Sequence, residues 1–128
     1  MPTELYVAFD DQEAVVNANV IARKLGALQE KGSIRSVDVA NVLHIRPETV
    51  SRWNQGKAFP RPEAERTLLD LEYVVDQLAD LYEPAEARLW LFSRQKLLDG
   101  QIPADLIQQR RTDEVLRVIR QVIEGAYV

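Results

Sequence analysis

Residues Ser36 to Gly56 read SVDVANVLHIRPETVSRWNQG, and the spacing inside this stretch decides the fold. Val39 and Leu43 lie one helical turn apart, with the small Ala40 beside them where a second helix can cross closely. His44, Ile45 and Arg46 break that pattern. Pro47 suits the first turn of a new helix, where its missing N–H costs nothing, and Val50 and Trp53 follow with the i, i+3 spacing of one buried face. Gly56 supplies the stop. The pattern predicts two short helices joined by a tight turn.

With Val50 and Trp53 turned inward, the second helix presents Glu48, Thr49, Ser51, Arg52, Asn54 and Gln55, several of which can hydrogen-bond base edges or phosphates. Two readings stay open. One is a helix-turn-helix whose second helix enters the major groove of DNA, with Arg46, Lys57 and Arg61 on phosphates. The other is an ordinary helical hairpin with a solvated second helix. The spacing of Ala40, His44, Ile45, Val50, Trp53 and Gly56-Lys57 resembles the Xre (phage repressor-like) helix-turn-helix family. His44 departs from that family, which usually has glycine there because the turn often needs positive φ.

Composition sets the outer bounds. A chain of 128 residues is one domain by length, or two small helical subdomains sharing a core, and 46% hydrophobic content supports a packed interior. The absence of cysteine excludes disulfides, thiolate zinc sites and cysteine nucleophiles, and a single histidine makes a histidine metal cluster a poor expectation. No apolar run approaches the roughly 18 residues of a membrane span, and the Met-Pro-Thr-Glu start lacks a signal-peptide pattern. The expectation is a cytoplasmic protein without a membrane anchor, cofactor or metal.

The net charge of −4 argues against non-specific coating of nucleic acid, but the charges are unevenly placed. Residues 34–66 carry Arg35, Arg46, Arg52, Lys57, Arg61 and Arg66 against Asp38, Glu48, Glu63 and Glu65, a local balance of +2 between segments of −2 and −4. A basic island flanked by acidic segments suits a sequence-specific DNA binder that keeps a second surface for another partner.

Around this centre, residues 1–16 read as an exposed or partner-dependent segment, open to being a short strand, a helix lead-in or a frayed tail. Residues 17–66 form the expected helix-turn-helix unit, opening with a helix from Asn17 to about Lys31 that Gly32-Ser33 ends. Two prolines interrupt residues 57–62. A long helix follows over residues 63–81, with Leu68, Leu71, Val75, Leu78 and Tyr82 as one apolar stripe widened by Leu69, Val74 and Leu81. Its other face, with Asp70, Glu72, Asp76, Asp80 and Glu83, reads as solvated. Residues 67–128 make the second unit, so the fold class is all-α with about seven helices.

The second unit carries its own resemblance. Ala87-Arg88-Leu89-Trp90-Leu91, Leu97-Leu98, Gly100, Pro103, Asp105-Leu106, Val115 to Ile119 and the run Glu124 to Val128 resemble the toxin-binding domain of Xre/MbcA/ParS-type antitoxins. The connection Gln108 to Thr112 lacks the glycine that often precedes the last helix in that pattern. The resemblance implies an antitoxin that neutralises a RES-domain, NAD-consuming toxin with its C-terminal segment and represses its own operon as a homodimer on operator DNA. It places toxin contacts at Trp90, Arg117, Arg120, Gln121, Glu124, Gly125, Ala126, Tyr127 and Val128.

The residues by themselves allow plainer roles. Trp90, Leu91, Leu97, Leu106, Val115, Ile119 and Val122 suit a helical core, and Thr112 suits the cap of a last helix over Asp113 to Glu124 that Gly125 releases. Tyr127 is an aromatic able to fill a flat pocket, and a Val128 carboxylate could pair with cations that hold pyrophosphate, although a loose terminus is the plain alternative. The apolar excess of the 63–81 helix, with Trp90 and Leu91, is the expected source of a dimer patch. A stand-alone regulator whose C-terminal half dimerises or senses a ligand is the rival function. No GxGxxG, P-loop or nucleophile constellation points to an enzyme.

Overall fold

A computed structural model describes residues 20–126, and everything below concerns those residues. They form seven α-helices: α1 at 20–32, α2 Ser36–Leu43, α3 Pro47–Asn54, α4 Pro62–Ala79, α5 Pro84–Leu91, α6 Pro103–Gln108 and α7 Thr112–Ala126. A 3₁₀ turn at Lys96–Leu98 lies between α5 and α6. The expectation for residues 1–16 falls outside the described residues.

Proline starts four of these helices, at Pro47, Pro62, Pro84 and Pro103, where a fixed φ helps and an N–H is not needed. Left-handed residues end several. His44, at φ 57°, closes α2 with the Ile45 N–H donating to the Ala40 carbonyl at 3.0 Å, and Gly56, at φ 74°, closes α3 with Lys57 N–H on Arg52 C=O at 2.9 Å. After α1 it is Ser33 that takes the left-handed turn. Gly32 serves a different need, because a Cβ there would lie 3.0 Å from a methyl of Val75 on α4.

The buried side chains form one cluster. The central helix α4 contributes Leu68, Leu71, Val74, Val75 and Leu78; α2 and α3 bring Val39, Ala40, Val50 and Trp53; α6 and α7 bring Leu106, Ile107, Val115 and Ile119. α4 packs on α2, α5, α6 and α7, and α6 also touches α2, so the two halves of the sequence share their interior.

Several expectations are corrected. Leu69 does not widen the apolar stripe as Val74 does but points outward, because the 3.6-residue period puts 71, 74, 75 and 78 on one arc and 69 and 73 on the other. The acidic side of α4 is not simply solvated: Lys24 of α1 pairs with Glu72 at 2.9 Å, Lys31 pairs with Asp76, and Asp70 accepts the Thr112 hydroxyl at 3.0 Å. Thr112 therefore bridges α7 to α4 instead of capping its own helix. Leu91 is fully buried and unavailable to a dimer patch, since it sits one turn after buried Ala87 on the inner face of α5. Gly125 does not release α7, which runs on through Ala126 while Ile123 still packs against the core.

Candidate functional site

Two surfaces emerge, one on α3 and one on α7. On α3 the inward pair Val50 and Trp53 is buried, which directs Glu48, Ser51, Arg52 and Gln55 into a single outward arc at positions i, i+3, i+4 and i+7. All four are exposed, and no side-chain hydrogen bond or salt bridge between described residues engages them. Arg46 before α3, Lys57 after it and Arg61 at the start of α4 are exposed at its margins. Two members of the sequence-derived set sit apart. Thr49 is half-buried, and Asn54 is turned toward a small cleft lined by Leu25, Ile34 and Arg35.

The charge of this surface is more positive than its sequence tally. Asp38, one of the four acidic residues of the island, is 5% exposed and bound by a residue from outside it. Arg88 of α5 donates from Nη2 to Asp38 Oδ1 at 2.9 Å and from Nε to Oδ2 at 3.4 Å, while the Arg35 backbone N–H donates to Oδ2 at 3.0 Å. Burial by itself pushes the Asp38 carboxyl up; the Arg88 and Arg35 hydrogen bonds and charges outweigh it and hold the group below the ordinary carboxylate range. The Arg88 guanidinium also lies 5.4 Å from the centre of the Phe92 ring. Sequence reasoning missed this pair; an aspartate among apolar neighbours at residues 37–40 was its one local sign.

On α7 the heptad-like spacing separates two faces. Val115, Val118 and Ile119 are buried, and Arg117, Arg120, Gln121 and Glu124 share one exposed polar stripe. Gly125 is exposed beyond it, with nothing within 4 Å of the place a Cβ would take. Beside the stripe, the 3₁₀ turn holds Leu97 at 63% exposure next to a cleft of about 290 Å³ that Arg117 and Gln121 also line. Trp90 does not join the stripe, since it is partly buried on α5, which packs mainly on α4 and α6. Tyr127 and Val128 lie outside the described residues, as does the side chain of Ala126.

The Arg111 guanidinium braces the start of α7 through Glu114, at 2.6 and 2.9 Å. That hydrogen bond holds the Glu114 carboxyl below its ordinary range against the opposing effect of desolvation. Among the described residues no helix is long and apolar enough to cross a membrane, and no group of three potential ligands is gathered for a metal.

No family model matches the chain. It is 30% identical over 113 residues to the mycobacterial cidal antitoxin MbcA of Mycobacterium tuberculosis, an alignment covering 88% of this chain and 100% of MbcA. It is 36% identical over 95 residues to the probable mycobacterial cidal antitoxin Rv3188 of the same organism, covering 74% of this chain and 81% of that protein. Its structure is similar to a chain in the crystal structure of the M. tuberculosis MbcT-MbcA toxin-antitoxin complex, with a TM-score of 0.74 at 30% identity, covering 85% of this chain and 98% of that one.

Proposed function

The chain belongs to the mycobacterial cidal antitoxin MbcA family, and from that premise we propose that it neutralises a cognate toxin by binding it. The observation that carries this is the likeness along the full length of MbcA, joined to a structural likeness to a chain of a toxin-antitoxin complex. Fold by itself would not carry it.

The toxin in this proposal is a RES-domain enzyme that consumes NAD, as the sequence resemblance implies, and the contact is made by α7 and the residues after it. The polar stripe of Arg117, Arg120, Gln121 and Glu124 supports this, because it offers cations and hydrogen-bonding groups on one rigid face. Gly125 supports it too, since an exposed backbone without a side chain can approach a partner's wall closely. Tyr127 brings the ring chemistry that suits a pocket built for a flat group. Filling that pocket excludes NAD by competition.

The same chain binds operator DNA of its own operon through an Xre-like helix-turn-helix formed by α2 and α3. Glu48, Ser51, Arg52 and Gln55 face the major groove, and Arg46, Lys57 and Arg61 face phosphates. Left-handed His44 at the turn and the unengaged arc on α3 favour this reading. One such unit reads one half-site, so the repressor is a homodimer. Its contact is the outer side of α4, where Leu69 and Tyr73 are 43% and 55% exposed one turn apart.

Co-expression with the neighbouring gene, followed by pull-down, tests the central claim. The expected result is a stable complex and protection of the cells. A version ending at Glu124 should fold and bind DNA as before yet protect poorly. Equal protection by the shortened chain would overturn pocket filling, and no complex at all would overturn toxin binding.

A further inference from the structure

The neighbours Arg110 and Arg111 have opposite surroundings. Arg111 is held, with Nε and Nη2 on the Glu114 carboxylate and Nη1 donating to Gln101 Oε1 at 3.2 Å. Arg110 is exposed, and among the described residues no hydrogen bond or salt bridge engages its side chain. Its backbone is in the left-handed region at φ 64°, where it closes α6 through the Arg111 N–H on the Leu106 carbonyl at 2.8 Å. Glycine suits that conformation better. A long cation thus occupies a turn whose backbone favours a residue with no side chain.

What Arg110 faces is a cleft of about 290 Å³ between the end of α6 and the start of α4, and Arg61 lines the same cleft. Arg61 likewise has no carboxylate partner among the described residues. Glu63 is the one acidic residue on the walls, so an anion is repelled from that wall and held at the two guanidinium groups. Leu43 at the end of α2 lines the same cleft, so the cleft joins the end of α2 and the start of α4 to the α6–α7 turn.

We propose that Arg110 and Arg61 together grip one stretch of the phosphate backbone of duplex DNA, which extends the DNA surface onto the C-terminal half of the chain. The inference rests on the DNA-binding reading above. Guanidinium groups hold phosphate by charge-assisted hydrogen bonds that carry no base information, so Arg110 contributes affinity and no sequence preference.

The test titrates a labelled duplex from upstream of the chain's own gene, and an unrelated duplex, with the full-length protein at several salt concentrations. Arg110→Gly fits the left-handed turn, so its thermal unfolding should match or exceed wild type. Its affinity should fall about 3- to 10-fold at low salt for both duplexes, with a salt slope shallower by roughly one. Arg110→Lys should recover most of the loss. If Arg110→Gly binds as wild type while Arg52→Ala/Gln55→Ala loses binding, the DNA reading stands and the Arg110 assignment is overturned. If wild type binds neither duplex, both fall. Weakened toxin neutralisation with unchanged DNA binding would place Arg110 on the toxin surface and overturn the proposal.

Discussion

The Arg88 guanidinium of α5 grips both carboxylate oxygens of Asp38 on α2, across 50 residues of sequence. Asp38 is buried and also accepts the Arg35 N–H that opens its own helix, so one side chain starts α2 and fastens it to the C-terminal half. A buried carboxylate needs such partners, because desolvation without them favours its protonation.

Arg88→Ala should cost about 3 kcal/mol, the low end for breaking a buried pair, since Arg88 is partly exposed and the Arg35 N–H remains. Chemical denaturation measures it. Combining Arg88→Ala with Asp38→Asn should cost less than the two single changes added, because the uncompensated charge is then gone.

Acid should weaken the fold through the same pair. The native Asp38 carboxyl titrates below its ordinary value of 3.8, so its contribution is complete above that value and disappears as pH falls through the native one. Asp38→Asn should be less stable than wild type at neutral pH, and the gap in Tm should narrow below about pH 4. A gap that stays constant down to about pH 2.5 would show that the charge of Asp38 contributes nothing.

His44 has φ 57°, a conformation that β-branched residues avoid. His44→Val should cost about 1–2 kcal/mol, whereas His44→Gly should stay within about 1 kcal/mol of wild type. Equal losses for both would mean that the imidazole matters more than the backbone.

Wild type should sediment as a dimer at tens of micromolar, a range set by ordinary homodimer affinities. Leu69→Asp with Tyr73→Asp should give a folded monomer, because both side chains are exposed on α4. Unchanged sedimentation of that variant would move the contact elsewhere.

Local features of the fold were legible in the sequence. Val39, Ala40, Pro47, Val50, Trp53 and Gly56 announced the α2–α3 hairpin because a helix, a turn and a stop each depend on a few neighbouring residues. The exposure of Glu48, Ser51, Arg52 and Gln55 on α3 followed from periodicity in the same way, whereas the toxin-contact residues of α7 were named by the family resemblance. Long-range partners were not legible: nothing near Asp38 names Arg88, and nothing near Thr112 names Asp70. Gly125 was misread as a stop because a glycine ends a helix only if the chain turns left-handed there, and Ile123 still packs on the core just before it.

The shared interior constrains how such a chain can change over generations. α4 offers Leu68, Leu71 and Leu78 to elements from both ends of the sequence, and α2 meets α6 directly. A foreign C-terminal half grafted after residue 79 would have to supply a matching wall for α2 and a guanidinium for Asp38. Without them the recipient hairpin carries a buried charge that Arg35 alone answers. The exposed stripe of α7, outside the shared interior, therefore tolerates change residue by residue, whereas recombination of whole segments disturbs the core.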